Sequence, residues 1–226
     1  VILKGAGIID QIILIPEKIG VLTSDISAFY ENGKLTLKIE KVEIRDFENK
    51  TESFLTFKKY DNFILFNLEN VLNNNGIADS INEKGNFDNL GSVLGSYLPQ
   101  EIIEKIKDYK IPFKIHENGN DNIRCNGQIL KFKKVFVKNL YLLVAANHGN
   151  YNETFKVNDK DFEVEIPDWC SEKIDIISDF RFISTGEKQF IKCGLKVIKL
   201  EINDLIDEMI LPNEVNVHVF SITGEQ

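Results

Sequence analysis

The sequence lacks the short motifs by which most enzyme classes are recognised. Its 226 residues contain no GxSxG nucleophile elbow, no HExxH zinc motif, no GKS/T phosphate loop and no GxGxxG dinucleotide loop. Gly5-Ala6-Gly7 precedes a strand-like run and not a helix, which argues against a dinucleotide-binding turn there. Catalysis by one of these standard arrangements is therefore not indicated.

Metal-type cysteine patterns and long apolar runs are missing as well. The three cysteines, Cys125, Cys170 and Cys193, show no CxxC or Cys/His zinc spacing, and their odd number leaves at least one thiol free. A free thiol favours a reducing compartment, but the sequons at Asn49 and Asn152 favour the opposite, so localisation stays open. The longest apolar stretch, near the start, is interrupted by charged residues and is too short for a membrane span.

Basic residues are outnumbered. The chain has 27 Lys and Arg against 35 Asp and Glu, which gives a net charge of −8. A surface with this excess of acid repels phosphate backbones and anionic lipid headgroups. Neither nucleic acid nor a membrane is therefore expected as a partner.

Strand patterns dominate what is present. Asn32-Gly33 is typical of a tight hairpin turn, and the residues after it, 34–44, alternate between apolar and polar side chains like a half-buried strand. Residues 8–15 are rich in β-branched side chains up to Pro16, and a single short helix is predicted over 99–106. Further strands are predicted at 54–57, 62–66, 111–115, 128–132, 141–145, 154–157, 162–166, 190–193, 196–200 and 215–222. Many short strands with almost no helix predict an all-β sandwich or barrel.

The strand patterns also predict core positions. Apolar residues within the predicted strands are expected to be buried: Phe63, Leu65, Leu143, Val164, Val217 and Val219. His218 has the opposite parity to Val217 and Val219, so it shares a face with Asn216 and Phe220. A structural strand histidine is the favoured interpretation of His218.

The stretch 67–98 concentrates asparagine, aspartate and glycine. Leu72, Ile77, Ile81, Phe87 and Leu90 are expected to anchor it as an ordered loop. Calcium is bound by six to eight such oxygen donors. Calcium is therefore one hypothesis here, and turn formation by the same residues is the other. The candidate ligands are Asn73, Asn75, Asp79 and Asp88.

Two further residues suggest binding chemistry. His148 follows an apolar strand, at the kind of strand end where sandwich sites are built, so ligand contact and turn formation are both open. Trp169 is the only tryptophan, and it follows Asp168. It is interpreted either as a sugar-stacking platform or as a core residue. No pair of carboxylates stands out as a glycosidase pair.

The order of short segments between Tyr60 and Thr223 resembles a jelly-roll, galactose-binding-like module of carbohydrate-active enzymes, as in the C-terminal regions of α-mannosidase-like glycoside hydrolases. The matching segments are Phe66-Asn67, Asn75-Gly76-Ile77-Ala78-Asp79, Gly85-Asn86-Phe87-Asp88, Ser96-Tyr97, Ile111-Pro112-Phe113, Asp121-Asn122, Gly127-Gln128, Ala145-Ala146-Asn147-His148-Gly149, Asp168-Trp169, Leu211-Pro212 and Val217-His218-Val219-Phe220-Ser221-Ile222-Thr223. Residues 89–95 depart from that pattern, which is expected to be richer in glycine there.

The resemblance implies a sandwich that binds sugar or packs on a catalytic domain and rarely catalyses. It places five residues near one edge as carbohydrate contacts: Asp88, Asn122, Gln128, His148 and Trp169. The implied partners are a carbohydrate and the catalytic domain of a larger glycosidase.

The expected organisation is an N-terminal strand extension, residues 1–59, followed by a jelly-roll sandwich, residues 60–226. Residues 8–16 resemble the last strand of a preceding domain, and with the absent initiator Met they favour a C-terminal fragment of a longer enzyme. The leading function is a non-catalytic carbohydrate-binding or accessory module. Two alternatives stay open: a small glycan-processing enzyme that uses His148 and a carboxylate, and a structural subunit of a surface assembly that donates residues 8–15 to a neighbour's sheet.

Overall fold

The computed structural model describes residues 51–78, 85–95, 111–116 and 119–226, and the strand pairing of residues 22–31 and 34–44. By its internal contacts the chain forms two compact units, Val1–Lys50 and Thr51–Gln226. The predicted helix at 99–106 and the predicted strand at 8–15 lie outside the described residues. The boundary proposed between residues 59 and 60 stays a prediction.

The described residues form strands and no helix, which confirms the predicted all-β fold. The strands are β1 (Leu22–Glu31), β2 (Lys34–Ile44), β3 (Glu52–Leu55), β4 (Phe57–Tyr60), β5 (Phe63–Phe66), β6 (Ile77–Ala78), β7 (Val93–Gly95), β8 (Ile123–Arg124), β9 (Ile129–Ala146), β10 (Tyr151–Val157), β11 (Lys160–Ile166), β12 (Ile176–Ser178), β13 (Arg181–Phe182), β14 (Lys188–Gln189), β15 (Cys193–Ile210) and β16 (Val217–Glu225). No helix within these ranges is long and apolar enough to cross a membrane.

The first unit contains an antiparallel hairpin of β1 and β2. Glu31 pairs with Lys34, so two residues connect the strands, as the Asn-Gly pair predicts. The register shifts between Asp25 and Ile26, whose partners are Lys41 and Ile39, which marks a β-bulge in β2.

The second unit is organised around one large sheet with the order β11-β10-β15-β9-β16-β5-β4. The long strand β9 pairs antiparallel with β15 on one side and with β16 on the other. Three short strands extend this sheet: β3 pairs parallel with β9, β8 pairs with β16, and β12 pairs with β15. A smaller sheet, β14-β13-β7-β6, is formed by short strands elsewhere in the unit.

Both faces of the large sheet are covered. Side chains of a strand alternate between the two faces. Accordingly Leu142 and Val144 belong to one apolar cluster, which we call the first core, and Leu143 and Ala145 belong to another, the second core. The first core also contains residues of β10, β11 and β15, while the second core adds Phe87, Phe113, Trp169 and Phe220. Strand β9 is thus buried on both faces near its end.

The largest differences from the sequence prediction concern strand length. Residues 128–132 and 141–145, expected as two strands, belong to the single strand β9, and β15 continues ten residues beyond the expected end at Leu200. Register shifts between Glu201 and Asp204 and between Ile206 and Glu208 show that β-bulges interrupt the alternation there. Leu200, Ile202 and Ile206 enter the first core with one parity and Met209 with the other, so a period of two is lost from the sequence.

Three of the six predicted core residues are fully buried, namely Leu143, Val217 and Val219. Phe63, Leu65 and Val164 are only half-buried. In β5 the side chains that enter the first core are Ile64 and Phe66, so the alternation is correct but the opposite face is the buried one. Among the expected loop anchors, Phe87 is buried and Leu90 is 66% exposed.

Leu143→Ala is expected to lower the free energy of unfolding by about 2–5 kcal/mol, because Leu143 is completely buried in the second core and truncation leaves a cavity. Urea unfolding followed by circular dichroism measures the change. Leu90→Ala is the matched control, and its effect should stay within about 0.5 kcal/mol. Equal effects of the two substitutions would contradict this assignment of the core.

Candidate functional site

Several chain segments meet where β9 and β16 adjoin. Asn147 and His148 directly follow β9, His218 lies in β16, and Asn122 precedes β8, which pairs with β16. Trp169 is held here because its backbone N–H donates to the carbonyl of Ala146, the last residue of β9. We call this group the edge cluster: Phe87, Asn122, Asn147, His148, Trp169 and His218.

The imidazole of His218 lies at the centre of the edge cluster with both nitrogens hydrogen bonded. The Nδ2 group of Asn147 lies 3.1 Å from Nε2, and Oδ1 of Asn122 lies 2.7 Å from Nδ1. Because an amide nitrogen only donates and an amide oxygen only accepts, the ring proton is on Nδ1 and Nε2 is the acceptor. The surrounding amides therefore fix one neutral tautomer of His218.

The hydrogen bonds continue from His218 to a carboxylate. Asn122 donates through Nδ2 to Asp121 Oδ1 at 2.6 Å, and Asp121 Oδ2 accepts the backbone N–H of Ile77 at 2.8 Å. Gly76 also donates its backbone N–H to the carboxylate of Asp121. A Cβ at Gly76 would lie 2.7 Å from Asn122 Nδ2, so a larger residue would displace the amide. The 76–77 backbone and the Asp121 side chain thus hold Asn122 in position.

Asn147 fixes the other side of the ring. Its Nδ2 group donates to the carbonyl of Phe87 at 2.6 Å as well as to His218. The ring of Phe87 lies 4.4 Å from the imidazole and 4.9 Å from the indole of Trp169. Among the described residues, Oδ1 of Asn147 is buried without a hydrogen-bond partner. The hydrogen bonds of its Nδ2 group and the packing around it therefore hold the Asn147 amide in place.

Burial keeps His218 uncharged. The side chain is completely buried, and desolvation together with the positive charge of Arg124 lowers the pKa of His218 to about 3. A general base or acid near neutral pH needs a pKa near the working pH and access to a substrate proton. His218 has neither, so the favoured interpretation of it as a structural histidine agrees with its surroundings.

The carboxylates of Asp88 and Asp168, close to the edge cluster, are also hydrogen bonded within the protein. Asp88 accepts the backbone N–H groups of Leu90 and Ser92 through Oδ1, at 2.9 and 2.8 Å. Asp168 accepts those of Gly149 and Cys170, both at 2.8 Å. Carboxylates that accept backbone N–H groups in turns fix loop conformation. These two side chains therefore shape the loops around the edge cluster.

His148 is the exposed histidine of the edge cluster. It adopts a left-handed backbone conformation with φ of 61°, which is uncommon for a residue with a side chain. Its Nε2 atom lies 2.7 Å from the carbonyl of Asp88, which ties the loop after β9 to the loop before β7. Of the candidate contacts, His148 is exposed, Gln128 is half-buried and the other three are buried.

Trp169 is 3% exposed and belongs to the second core. One ring neighbour is Phe87, and the guanidinium of Arg181 lies 5.4 Å from the ring centre. Arginine over an indole face is a favourable cation–π arrangement. The core-packing interpretation therefore describes Trp169 better than the sugar-stacking platform.

The structure brings four of the five predicted carbohydrate contacts together, since Asp88, Asn122, His148 and Trp169 all lie in or against the edge cluster. Gln128 belongs to a separate turn. Its Nε2 donates to the carbonyl of Arg124, and its Oε1 accepts from the N–H of Asn126. Whether any of these residues contacts sugar stays a prediction.

The candidate calcium ligands are partly engaged. Oδ1 of Asn73 accepts the backbone N–H of Arg124 at 2.7 Å, and Asp79 lies outside the described residues. No group of three or more His, Cys, Asp or Glu side chains suited to a metal ion occurs within the described ranges. Calcium binding by Asn73, Asn75, Asp79 and Asp88 stays a prediction.

The three thiols are free, and none is activated. Burial raises the pKa of Cys193 to about 12 and also raises the pKa of Cys125 and of Cys170. A nucleophilic cysteine requires a lowered pKa. These thiols are therefore apolar packing groups at neutral pH.

An open groove lies beside the segment that leads to Trp169. Its volume is ≈ 450 Å³. Its charged lining forms two ion pairs, Lys173 with Glu165 and Lys196 with Asp175. The remaining lining residues are Pro167, Glu172 and Ile174. Sequence reasoning missed this groove because its charged residues come from β11, the segment after it and β15, and none stands in a recognisable motif.

Comparison with known proteins gives one family. The family model described as the AziU2-like beta-sandwich domain matches residues 70–226, a range that includes the whole edge cluster. No curated protein matches the chain. The matched range supports a β-sandwich and contains no information on glycoside hydrolases.

The stability of the protein is expected to fall as the pH decreases from 6.5 towards 3. The unfolded chain protonates His218 below its ordinary pKa of 6.5, whereas the native state does so only near 3. The unfolded state then binds the extra proton, which costs the native state about 1.4 kcal/mol per pH unit. His218→Gln should lower stability at pH 7 by about 1–3 kcal/mol and flatten this pH dependence. Urea unfolding at several pH values measures both.

His148→Gln is the matched control for the pH series, because His148 lies on the surface of the same cluster. It should keep the wild-type slope between pH 6.5 and 3. A wild-type slope in His218→Gln would contradict the neutral buried imidazole.

If the asparagine-rich loop binds calcium, millimolar calcium should raise the melting temperature and a chelator should lower it, by mass action on the native state. Asp88→Asn keeps an oxygen for the turn contacts to Leu90 and Ser92 and removes the charge, so it should abolish the calcium response while preserving the fold. Identical melting curves of the wild type with chelator and with calcium would remove the metal hypothesis.

Proposed function

This chain belongs to the AziU2-like beta-sandwich domain family, and we propose that it acts as a non-catalytic carbohydrate-binding or accessory module. The observation that supports a non-catalytic role is the state of the edge cluster. His218 is neutral and fully hydrogen bonded, and the carboxylates of Asp88 and Asp168 accept backbone N–H groups. Side chains engaged in this way hold loops and are not free to transfer protons.

The groove beside Pro167 is the surface that supports carbohydrate as the ligand. Its volume of ≈ 450 Å³ lies within the ordinary range of small-molecule sites. Carboxylate oxygens accept from sugar hydroxyls and ammonium groups donate to them, and the groove supplies both in pairs. Pro167 and Ile174 complete the lining as buried apolar residues.

This proposal changes the role of Trp169. The indole is buried and lies two residues after Pro167 of the groove, so it would report on a bound sugar through its fluorescence without touching it. The proposed partner, a catalytic domain of a larger glycosidase, rests on the resemblance alone.

Titration with soluble oligosaccharides tests the proposal. At least one glycan class should bind with a calorimetric signal and a shift in Trp169 emission, without being hydrolysed. Glu165→Gln combined with Lys196→Gln should weaken binding about tenfold or more, because each substitution removes a charged hydrogen-bonding partner. Melting temperatures should stay close to wild type, since both side chains are partly exposed.

Lys160→Gln, on the other end of β11 and outside the groove, is the matched control and should bind like the wild type. Absence of binding by every glycan tested would contradict the carbohydrate proposal. Turnover of a glycan that His148→Ala abolishes would favour the enzyme alternative instead.

A further inference from the structure

The outward face of the β9–β15 pairing carries charges that are sorted by strand. The outward charged side chains of β9 are basic, and those of β15, apart from Lys199, are acidic. We call this surface the ladder face. Its basic row is Lys131, Lys133, Lys134 and Lys138, and its acidic row is Glu201, Asp207 and Glu208.

An apolar pair lies at the middle of the ladder face. Phe136 of β9 is directly opposite Leu205 of β15, and the two are 44% and 49% exposed. Their chain neighbours Val135 and Ile206 point the other way, into the first core. Side chains directly opposite each other share a face. Phe136 and Leu205 therefore form one apolar spot that spans both strands and interrupts both charged rows.

Ion pairs within the chain involve most of these charges, but they are formed between exposed side chains. The pair Lys134–Asp207 is 3.8 Å apart with both side chains more than half exposed, and it is the cross-row ion pair of the described residues. Lys131 pairs instead with Glu52 of β3, Lys138 with Glu225 of β16, and Glu201 with Lys199 of its own strand. Exposed ion pairs of this kind contribute little to stability, so their partners can be exchanged at low cost.

A twofold axis that runs along the strands, midway between β9 and β15, makes this surface complementary to itself. Rotation about that axis places β9 of one copy over β15 of the other at the same height along the strand. Lys131 then faces Glu208 of the second copy, and Phe136 faces Leu205, in agreement with the observed register. The interface is isologous, because each contact occurs twice.

We propose that two copies of this chain associate face to face through the ladder face. The paired strands cover about 500 Å² of each copy when flanking residues are included, from strand spacing and rise. A total of about 1,000 Å² is at the small end for specific interfaces. The dimer is therefore weak and sensitive to salt, since much of its attraction is between exposed charges.

Sedimentation velocity of the full chain at increasing concentration tests the association. In low salt the wild type should shift from monomer to dimer, and about 0.5 M salt should weaken the dimer several-fold. Lys131→Glu with Lys134→Glu should weaken self-association about tenfold or more, because two like-charged rows then face each other. Asp207→Lys with Glu208→Lys should also weaken self-association about tenfold or more, because two basic rows then face each other.

The decisive measurement mixes these two charge-reversed variants. In a mixed dimer, each reversed row meets a row of opposite charge, so association should return to the wild-type level. Lys58→Glu with Lys59→Glu on β4 is the matched control and should dimerise like the wild type. Melting temperatures of all variants verify folding, and the exposure of the substituted residues predicts little change.

A wild type that stays monomeric in low salt would overturn the proposal. Dimerisation of the charge-reversed variants at wild-type strength, or a mixture that fails to associate, would show that another surface is used and would overturn it as well. The ladder face and the groove beside Pro167 share no residue, so loss of dimerisation and loss of sugar binding are separate outcomes.

Discussion

Burial of β9 on both faces is the constraint on which the second unit depends. From Asn139 to Ala146 every side chain of this strand is buried, so apolar side chains from other segments must cover both faces of the sheet. The first core is completed by residues of β10, β11 and β15, and the second core by the segments that carry Phe87, Phe113 and Trp169. Because those segments are connecting loops with few regular hydrogen bonds, their polar backbone must be satisfied by side chains. The asparagines and aspartates of the edge cluster meet this need.

The same constraint explains why residues that look catalytic are structural here. In a buried environment an unpaired polar group costs far more than in water, so each amide and carboxylate is stable only when its partners are present. Asn122 and Asn147 hold the His218 ring by opposite edges, and Asp121 holds Asn122 in turn. Charge on the ring would disrupt this arrangement, because Asn147 offers its nitrogen, a donor, to Nε2. The direction of the hydrogen bonds therefore stabilises one protonation state.

Much of the fold was predictable from local pattern, and the site was predictable only in part. Alternation correctly identified the all-β class and placed His218 on the face opposite Val217 and Val219. It failed beyond Leu200, because register shifts between β15 and β9 break the regular alternation while Asp204 and Asp207 interrupt the apolar pattern. The role of Trp169 could not be decided locally, since its burial depends on Phe87 and Arg181, which are distant in the sequence. The groove beside Pro167 was not predicted because none of its charged residues stands in a recognisable motif.

The position of β16 between β9 and β5 has a consequence for how the protein folds. Leu65 of β5 pairs with Thr223, and His218 binds Asn122 across 96 positions of sequence. Contacts between such distant residues require closure of large loops before any stabilising energy is gained, and proteins rich in them fold slowly. On the ribosome β5 is synthesised long before β16, its partner strand. Until β16 is made, the apolar side chains of Ile64 and Phe66 stay exposed to solvent. Refolding in vitro should accordingly compete with aggregation of partly assembled sheets, and it should be most efficient in dilute solution.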